Sequence, residues 1–368
     1  MSETRAPGKL FILGEYAVVE PGHAAVLVAV DRFITVTLTP AADGESGASL
    51  EALSPHVRAA IGVVEELRAD RALAHRPFHL QITSELEDES GRKYGLGSSA
   101  AVTVAVIAAT LTHYGLELND RERFKLALLA TLEVSPRASG GDLAASTMGG
   151  WVRYVSPDRA ALASVRAARG IVAALTHEAW DTCVVEALPA PTDLRLLVGW
   201  TGEPASTEAL VGQVEKASAP EDRESTTDAP QGSDAPDART SQHGTPSRHA
   251  FVGESDACVA RFVSAMRAGD TDTLLREVRK ARSLLTALGE TTGITIETQT
   301  LRDLCDIAEA HGAAAKPSGA GGGDCGIVLA GSHVDAGSIA SVWLQHQIVP
   351  LDLRVTGAHG TAEGGTDD

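Results

Sequence analysis

Strand-like and helix-like stretches alternate on both sides of a long polar segment, and the chain is long enough to build two cores. Together these observations predict a two-domain α+β protein. Its 368 residues exceed the ~150 of an ordinary single domain, and 43% hydrophobic residues suffice for one large core or two moderate ones.

In chain order, "KLFILGEYAVV" from Lys9 and "AAVLVAVDRFITVTLTP" from Ala24 are apolar and β-branched with short polar breaks, which suits strands of one sheet. "FHLQITSEL" from Phe78 alternates in strand fashion. Ala100 to Tyr114 is apolar nearly all round and predicts a buried helix. After "ELND", where Asn119 or Asp120 can cap, "RERFKLALLATLEV" predicts an amphipathic helix ending before Pro136. Helices are predicted over Ser255 to Ala268, Thr271 to Leu288 and Thr298 to His311. "CGIVLA" and "IVPLDLRV" read as strands, with a helix around Ala336 to His346 between them. Residues 215–249 are dense in Ser, Thr, Asp and Pro and carry almost no large apolar side chain, so they read as a disordered surface insert. The tail, 357–368, reads the same way.

The formal charge of −18 argues against nucleic-acid or anionic-membrane partners, which require clustered Lys and Arg. Any anionic ligand must therefore meet a local positive site. Cys183, Cys258, Cys305 and Cys325 are scattered, with no C-x-x-C, so reduced thiols are expected rather than a zinc ribbon or a disulfide framework. No run approaches ~18 uninterrupted apolar residues, and "MSETRAPGKLF" lacks the features of a signal peptide. A soluble cytoplasmic protein is the expectation.

"KYGLGSSAA", Lys93 to Ala101, sets two glycines directly before the buried helix. Glycines bare backbone amides, and a helix start adds unpaired N–H groups and a partial positive charge, so the pair predicts an anion site. A dinucleotide fingerprint fits the letters G-x-G-x-x-A but lacks the apolar strand that should precede it, and a Walker loop needs Lys where Ser98 stands. A tight turn that merely lets a helix pack closely also fits. Three more stretches accompany it: "APGKLFILGEYAVV" with Lys9 after Pro-Gly, "ASGGDLAAS" with Asp142 after two glycines, and "KPSGAGGGDCGIVL", with five glycines in the eight positions from Gly319 to Gly326. Each has a plain structural reading, as a strand edge, a helix cap and a glycine-rich approach to a strand; their joint occurrence is what points to a phosphate-handling cleft.

This set resembles the GHMP small-molecule kinases, whose motifs are a Pro-Gly-Lys-type start, a central Gly-Leu-Gly-Ser-Ser-Ala phosphate loop and a C-terminal glycine-rich loop. All three occur here in order, and the likeness spans nearly the whole chain apart from the insert and tail. It implies the two-domain GHMP kinase fold: an N-terminal domain like ribosomal protein S5 domain 2 over about 1–185, a ferredoxin-like C-terminal domain over 186–356, and a cleft between them. It also implies ATP and Mg²⁺. Tyr94, Gly95, Leu96, Gly97, Ser98, Ser99 and Ala100 would cradle the nucleotide phosphates, with Ser99 and Glu133 near the metal. Lys9 and Asp142 match the family's catalytic pair. Ser139, Gly140, Ser318, Gly319, Gly321, Gly322, Gly323 and Asp324 would shape the acceptor side, with Arg137, Lys316 and Lys93 as candidate cations.

The narrower likeness, carried by "GKLFILGEYAVVEPGHAAVLVAVDRF", "ASGGDLAASTMGGWVRY", "GWTGEPASTEALV" and the two glycine loops, is to the branch whose acceptor is the phosphate of 5-phosphomevalonate. An unphosphorylated alcohol such as mevalonate is the alternative acceptor. A noncatalytic binding protein that has kept the fold is the rival from a different class, and the retention of Lys9, Ser99 and Asp142 speaks against it. A monomer or homodimer is expected. One departure is the long acidic insert, which relatives rarely carry.

Overall fold

The computed structural model describes residues 2–41, 53–218 and 248–357. Its first sheet is built on a long hairpin. Strand β1 (Ser2–Leu13) runs antiparallel to β2 (Ala24–Pro40), and the chain leaves β1 at Gly14 to form a single 3-10 turn over Ala17–Val19. The strand expected from Lys9 to Val19 therefore stops at Leu13. Gly14 has φ +94°, and a Cβ there would lie 2.6 Å from the Cα of Ala25, so only glycine makes this turn.

Helix α1 (Pro55–Asp70) starts on Ser54, whose hydroxyl caps the amide of Val57. Strand β3 (Phe78–Ser84) pairs with the second half of β2. Helix α2 (Ser98–Tyr114) is buried along most of its length, and α3 (Asp120–Val134) begins with a capping box in which Asn119 and Glu122 satisfy each other's amides. Of the two expected caps, Asn119 is the one used. Helix α4 (Gly141–Met148), strand β4 (Trp151–Val155), helix α5 (Arg159–Leu175) and strand β5 (Val184–Leu188) complete this half. Helix α5, not among the predicted elements, buries only Leu162, Ile171 and Ala174 fully, and Gly170 interrupts it with φ +79°.

The second sheet has the order β7-β8-β6-β9, from β6 (Leu194–Trp200), β7 (Ala314–Pro317), β8 (Cys325–Gly331) and β9 (Val349–Leu351). Helices α6 (Thr207–Ser218), α7 (Arg248–Ala268), α8 (Thr271–Thr292), α9 (Gln299–Ala310) and α10 (Ala336–Gln345) belong to this half of the sequence. Every strand pairing in both sheets is antiparallel, which rules out a dinucleotide-binding βαβ unit around the phosphate-loop candidate.

Three boundaries differ from expectation. A division at 185 would cut β5, which pairs with β4 in the first sheet, so the break between sheets falls between Leu188 and Leu194. The edges of the expected insert are helical, since α6 runs to Ser218 and α7 begins at Arg248; residues 219–247, like the tail beyond 357, lie outside the described residues. The strand expected over 348–355 shrinks to β9. The chain then returns to the first sheet, where the amide of Thr356 reaches the carbonyl of Ala29 and Arg354 accepts from the amide of Asp31.

All four cysteines are buried free thiols. No helix among the described residues is long and apolar enough to cross a membrane.

Candidate active site

A cavity of about 660 Å³ opens between the two halves, and the motifs singled out in the sequence converge on it. Lys9 enters from β1, just past a register shift between Pro7 and Gly8, and its amide donates to the carbonyl of Leu96 at 2.9 Å. That bond staples β1 to the loop leading into α2. The Lys9 side chain is nearly buried, yet its ammonium faces the cavity, 3.3 Å from Oδ1 of Asp142 and 5.4 Å from the centre of the Phe11 ring. Asp142 stands in the first turn of α4, behind Gly140, whose φ of +92° starts the helix. Its Oδ1 is buried and makes no hydrogen bond, so the Lys9 charge is its counterpart.

The glycines before α2 answer to the protein's own side chains as well as to any ligand. Gly95 and Gly97 have φ of +79° and +77°. A Cβ on Gly97 would come within 2.6 Å of Cε of Lys9, and one on Gly95 would overlap the Asp324 side chain. Smallness here leaves room for Lys9 on one side and Asp324 on the other. Gly95, Gly97, Ser98, Ser99 and Ala100 line the cavity, and the first amides of α2 have no partner within the helix. Tyr94 and Leu96 do not line it: Tyr94 packs edge-on against Trp200, and Leu96 is buried. Their place in the motif is structural.

Several predicted residues are elsewhere. Glu133 pairs with Arg166 at the surface, and burial pushes its carboxyl above the ordinary range. The reason is helical geometry. Thr131 and Ser135 of the same segment face the cavity four residues apart, and a residue midway between them points roughly 200° away. Lys316 is completely buried, donating to Glu15 and to the carbonyl of Pro317, so it is not a free cation for a ligand. Gly321, Gly322 and Gly323 do not line the cavity either. Added Cβ atoms would meet the carbonyl of Ile296, Leu210 at 2.8 Å and the carbonyl of Glu203 at 2.5 Å. Ser318 spends its hydroxyl on the backbone of Phe11. Only Gly319, Ala320 and Asp324 of this loop reach the cavity.

Ser139, Gly140 and Arg137 do line it. Their loop is pinned from behind: Tyr154 donates to the Ser139 carbonyl at 2.6 Å, and Arg159 donates to the carbonyls of Arg137 and Ala138 at 2.9 and 2.7 Å. The Arg137 guanidinium itself is 54% exposed and lies 3.4 Å from Glu215 on α6. Lys93 adds positive charge to the wall, Arg92 lines it with its guanidinium paired to Asp88 at 2.7 Å, and Glu208 of α6 adds negative charge.

Residues missed in the sequence include Thr131, whose buried hydroxyl has no partner, and Glu15 and Tyr16 in the turn after β1. His56, in the first turn of α1, is also on the wall; burial, reinforced by Lys93, lowers its pKa. The 3.6-residue period of α3 was the available signal for Thr131; nothing local marks His56. Asp324 has its carboxyl raised by burial, against the opposing effects of the Ala205 amide, Lys9 and Lys93. Among the described residues no group of three or more His, Cys, Asp or Glu is arranged to hold a metal ion.

A cavity with a nearly buried Lys, a carboxylate against it and a glycine-flanked helix start suits binding and polarising a phosphate chain. Comparison with known proteins agrees with that chemistry. The GHMP kinases N terminal domain matches residues 56–150 and the GHMP kinases C terminal domain matches 262–348. A phosphomevalonate kinase of Streptomyces sp. (strain CL190) is 41% identical over 95% of each chain. A mevalonate kinase of Thermococcus onnurineus is 28% identical over 88% of each. The structure of Streptococcus pneumoniae phosphomevalonate kinase in complex with phosphomevalonate and AMPPNP superposes with a TM-score of 0.80 at 27% identity, covering 96% of this chain and all, 100%, of that one. With both halves matched and the phosphate-loop, Lys9 and Asp142 motifs gathered on one cavity, the chain belongs to the GHMP kinase family and has its two-domain fold.

Proposed function

We propose that this protein transfers the γ-phosphoryl group of ATP to the phosphate of 5-phosphomevalonate, giving 5-diphosphomevalonate and ADP. The observation that carries the reading is the 41% identity, over 95% of both chains, to a phosphomevalonate kinase, combined with the Lys9–Asp142 pair set against the phosphate loop on the wall of one cavity. AMPPNP and phosphomevalonate in the pneumococcal structure support the same two substrates here.

The residues divide the work as follows. Gly95, Gly97, Ser98 and Ser99 offer backbone amides and the positive end of α2 to the nucleotide phosphates. Lys9, dry and preformed, meets the negative charge shared between donor and acceptor during transfer. Asp142 holds the Lys9 ammonium in place. As a base it has little to do, because a phosphomonoester's second pKa of ~6 leaves the acceptor oxygen mostly deprotonated at neutral pH. Arg137, half exposed on the pinned loop, and Lys93 are the cations available to a second anionic substrate.

Glu133 is turned to Arg166, whereas Ser99 and Asp142 line one cavity and are the hydroxyl and carboxylate that would hold Mg²⁺ there, the ion's remaining positions falling to substrate phosphate oxygens. When bound it neutralises charge on the phosphates.

The direct test is ADP release measured with phosphomevalonate and mevalonate side by side. Turnover of phosphomevalonate at least ~10²-fold more efficient in kcat/KM is expected, since a site built for a second phosphate leaves its cations unpaired when mevalonate binds. Preference for mevalonate would assign the alcohol-accepting activity instead.

A further inference from the structure

Two segments about 300 residues apart meet at the floor of the cavity: the end of β1 with its turn, 11–16, and the end of β7 with the start of the glycine loop, 316–320. They are clasped at three points. The Phe11 amide donates to Oγ of Ser318 at 2.9 Å, and the same hydroxyl donates to the Phe11 carbonyl at 3.0 Å. Lys316 donates to Glu15 and, at 2.6 Å, to the carbonyl of Pro317, while the Gly319 amide reaches Oε1 of Glu15 at 3.4 Å. Tyr16 donates its hydroxyl to the carbonyl of Ala320 at 2.5 Å.

The turn that makes this possible is strained. Tyr16 has φ +62° and ψ −43°, and the Ala17 amide reaches back to the Glu15 carbonyl at 2.7 Å, which makes Tyr16 the centre of a γ-turn of the rare positive-φ hand. A large side chain in that conformation persists only where its surroundings force it. Nor do the buried charges explain themselves by stability. The Glu15 and Lys316 side chains are 4% and 0% exposed, and such a pair often contributes no more than a well-packed apolar pair would. Strain and buried charge coincide at the one place that joins the strand bearing Lys9 to the loop bearing Gly319 and Asp324.

We propose that Glu15, Tyr16 and Ser318 form a joint that fixes the 319–324 loop relative to Lys9, and so act as positioning residues for the acceptor. The acceptor half of this statement rests on the reading of the reaction given above; the joint itself does not.

Tyr16→Phe and Ser318→Ala each remove one clasp without unpairing a buried charge, so both variants should fold. Two measurements on the full chain separate the claims. Amide hydrogen exchange at 319–323, without substrates, should quicken by about tenfold in each variant, the scale of one lost hydrogen bond. In the kinase assay the phosphomevalonate KM should rise by about the same factor, with the ATP KM within about twofold of wild type. Unchanged exchange at 319–323 overturns the joint whatever the kinetics. Quickened exchange with equal rises in both KM values overturns the acceptor role. A wild type that does not turn over phosphomevalonate defeats the reading of the reaction and, with it, the acceptor half; the exchange result then decides the joint alone.

Discussion

Gly95 and Gly97 before α2 and Gly321 to Gly323 before β8 look alike in sequence, since both runs precede a buried element with small residues. Their surroundings separate them. The first pair gives way to the Lys9 and Asp324 side chains and lines the cavity, whereas the second run is pressed against the Ile296 and Glu203 carbonyls and the Leu210 side chain, away from it. One glycine loop is shaped by the side chains that line the cavity and the other by the packing that holds the loop in place. Glycine marks a close approach; it does not say what approaches.

The largest effect that bears on this contrast should come from the side chain that Gly97 accommodates. Lys9→Met is expected to lower kcat by ~10³-fold or more, the scale of losing a preorganised charge at a phosphoryl-transfer transition state. Asp142→Asn keeps shape while removing charge, and should cost less, with a loss that does not deepen between pH 8 and pH 7. Steady-state rates with phosphomevalonate at the two pH values check this. If the two variants are equally impaired, Asp142 does more than hold the Lys9 ammonium, and a base has more to do here than the acceptor's pKa implies.

The glycines themselves give the next test. Gly97→Ala must displace Lys9 Cε, so kcat should fall by ~10²-fold, the cost of misplacing a catalytic group, while the melting temperature drops only modestly. Gly321→Ala meets an unyielding backbone carbonyl at φ +71° and should do the reverse, losing about 2 kcal/mol or more of stability, with the folded fraction keeping near-normal kcat. Denaturant melts and active-site-normalised rates separate the two. The same signature from both variants would erase the distinction between the loops.

The smallest effect concerns the rim. Arg137→Met should raise the phosphomevalonate KM by roughly tenfold and the ATP KM by much less, because the exposed pair with Glu215 contributes little to folding and its guanidinium is open to an anion. Equal changes in both constants would remove Arg137 from the acceptor side.

The sequence went far toward the site. Lys9, Asp142, Gly95, Gly97, Ser98 and Ser99 stand on the cavity wall because each belongs to a short motif whose geometry is local: a strand edge, a helix start, a turn with positive φ. Helices α2, α3, α8 and α9 were legible for a related reason, since hydrophobic periodicity and caps are written within a single element. Reading failed where the answer depended on a distant partner. Glu133 is a carboxylate at a plausible spacing, yet the rotation of α3 turns it to Arg166 and leaves Thr131 at the site. Lys316 reads as a free cation beside a glycine loop until Glu15, 301 residues away in the chain, is placed against it. Composition, motif order and family were thus determined by the residues alone, because each rests on contacts within a few positions. Which cations stay free, which glycines are compressed and which tyrosine is strained were decided only in the tertiary structure, because burial and charge pairing are set by segments that meet across the fold.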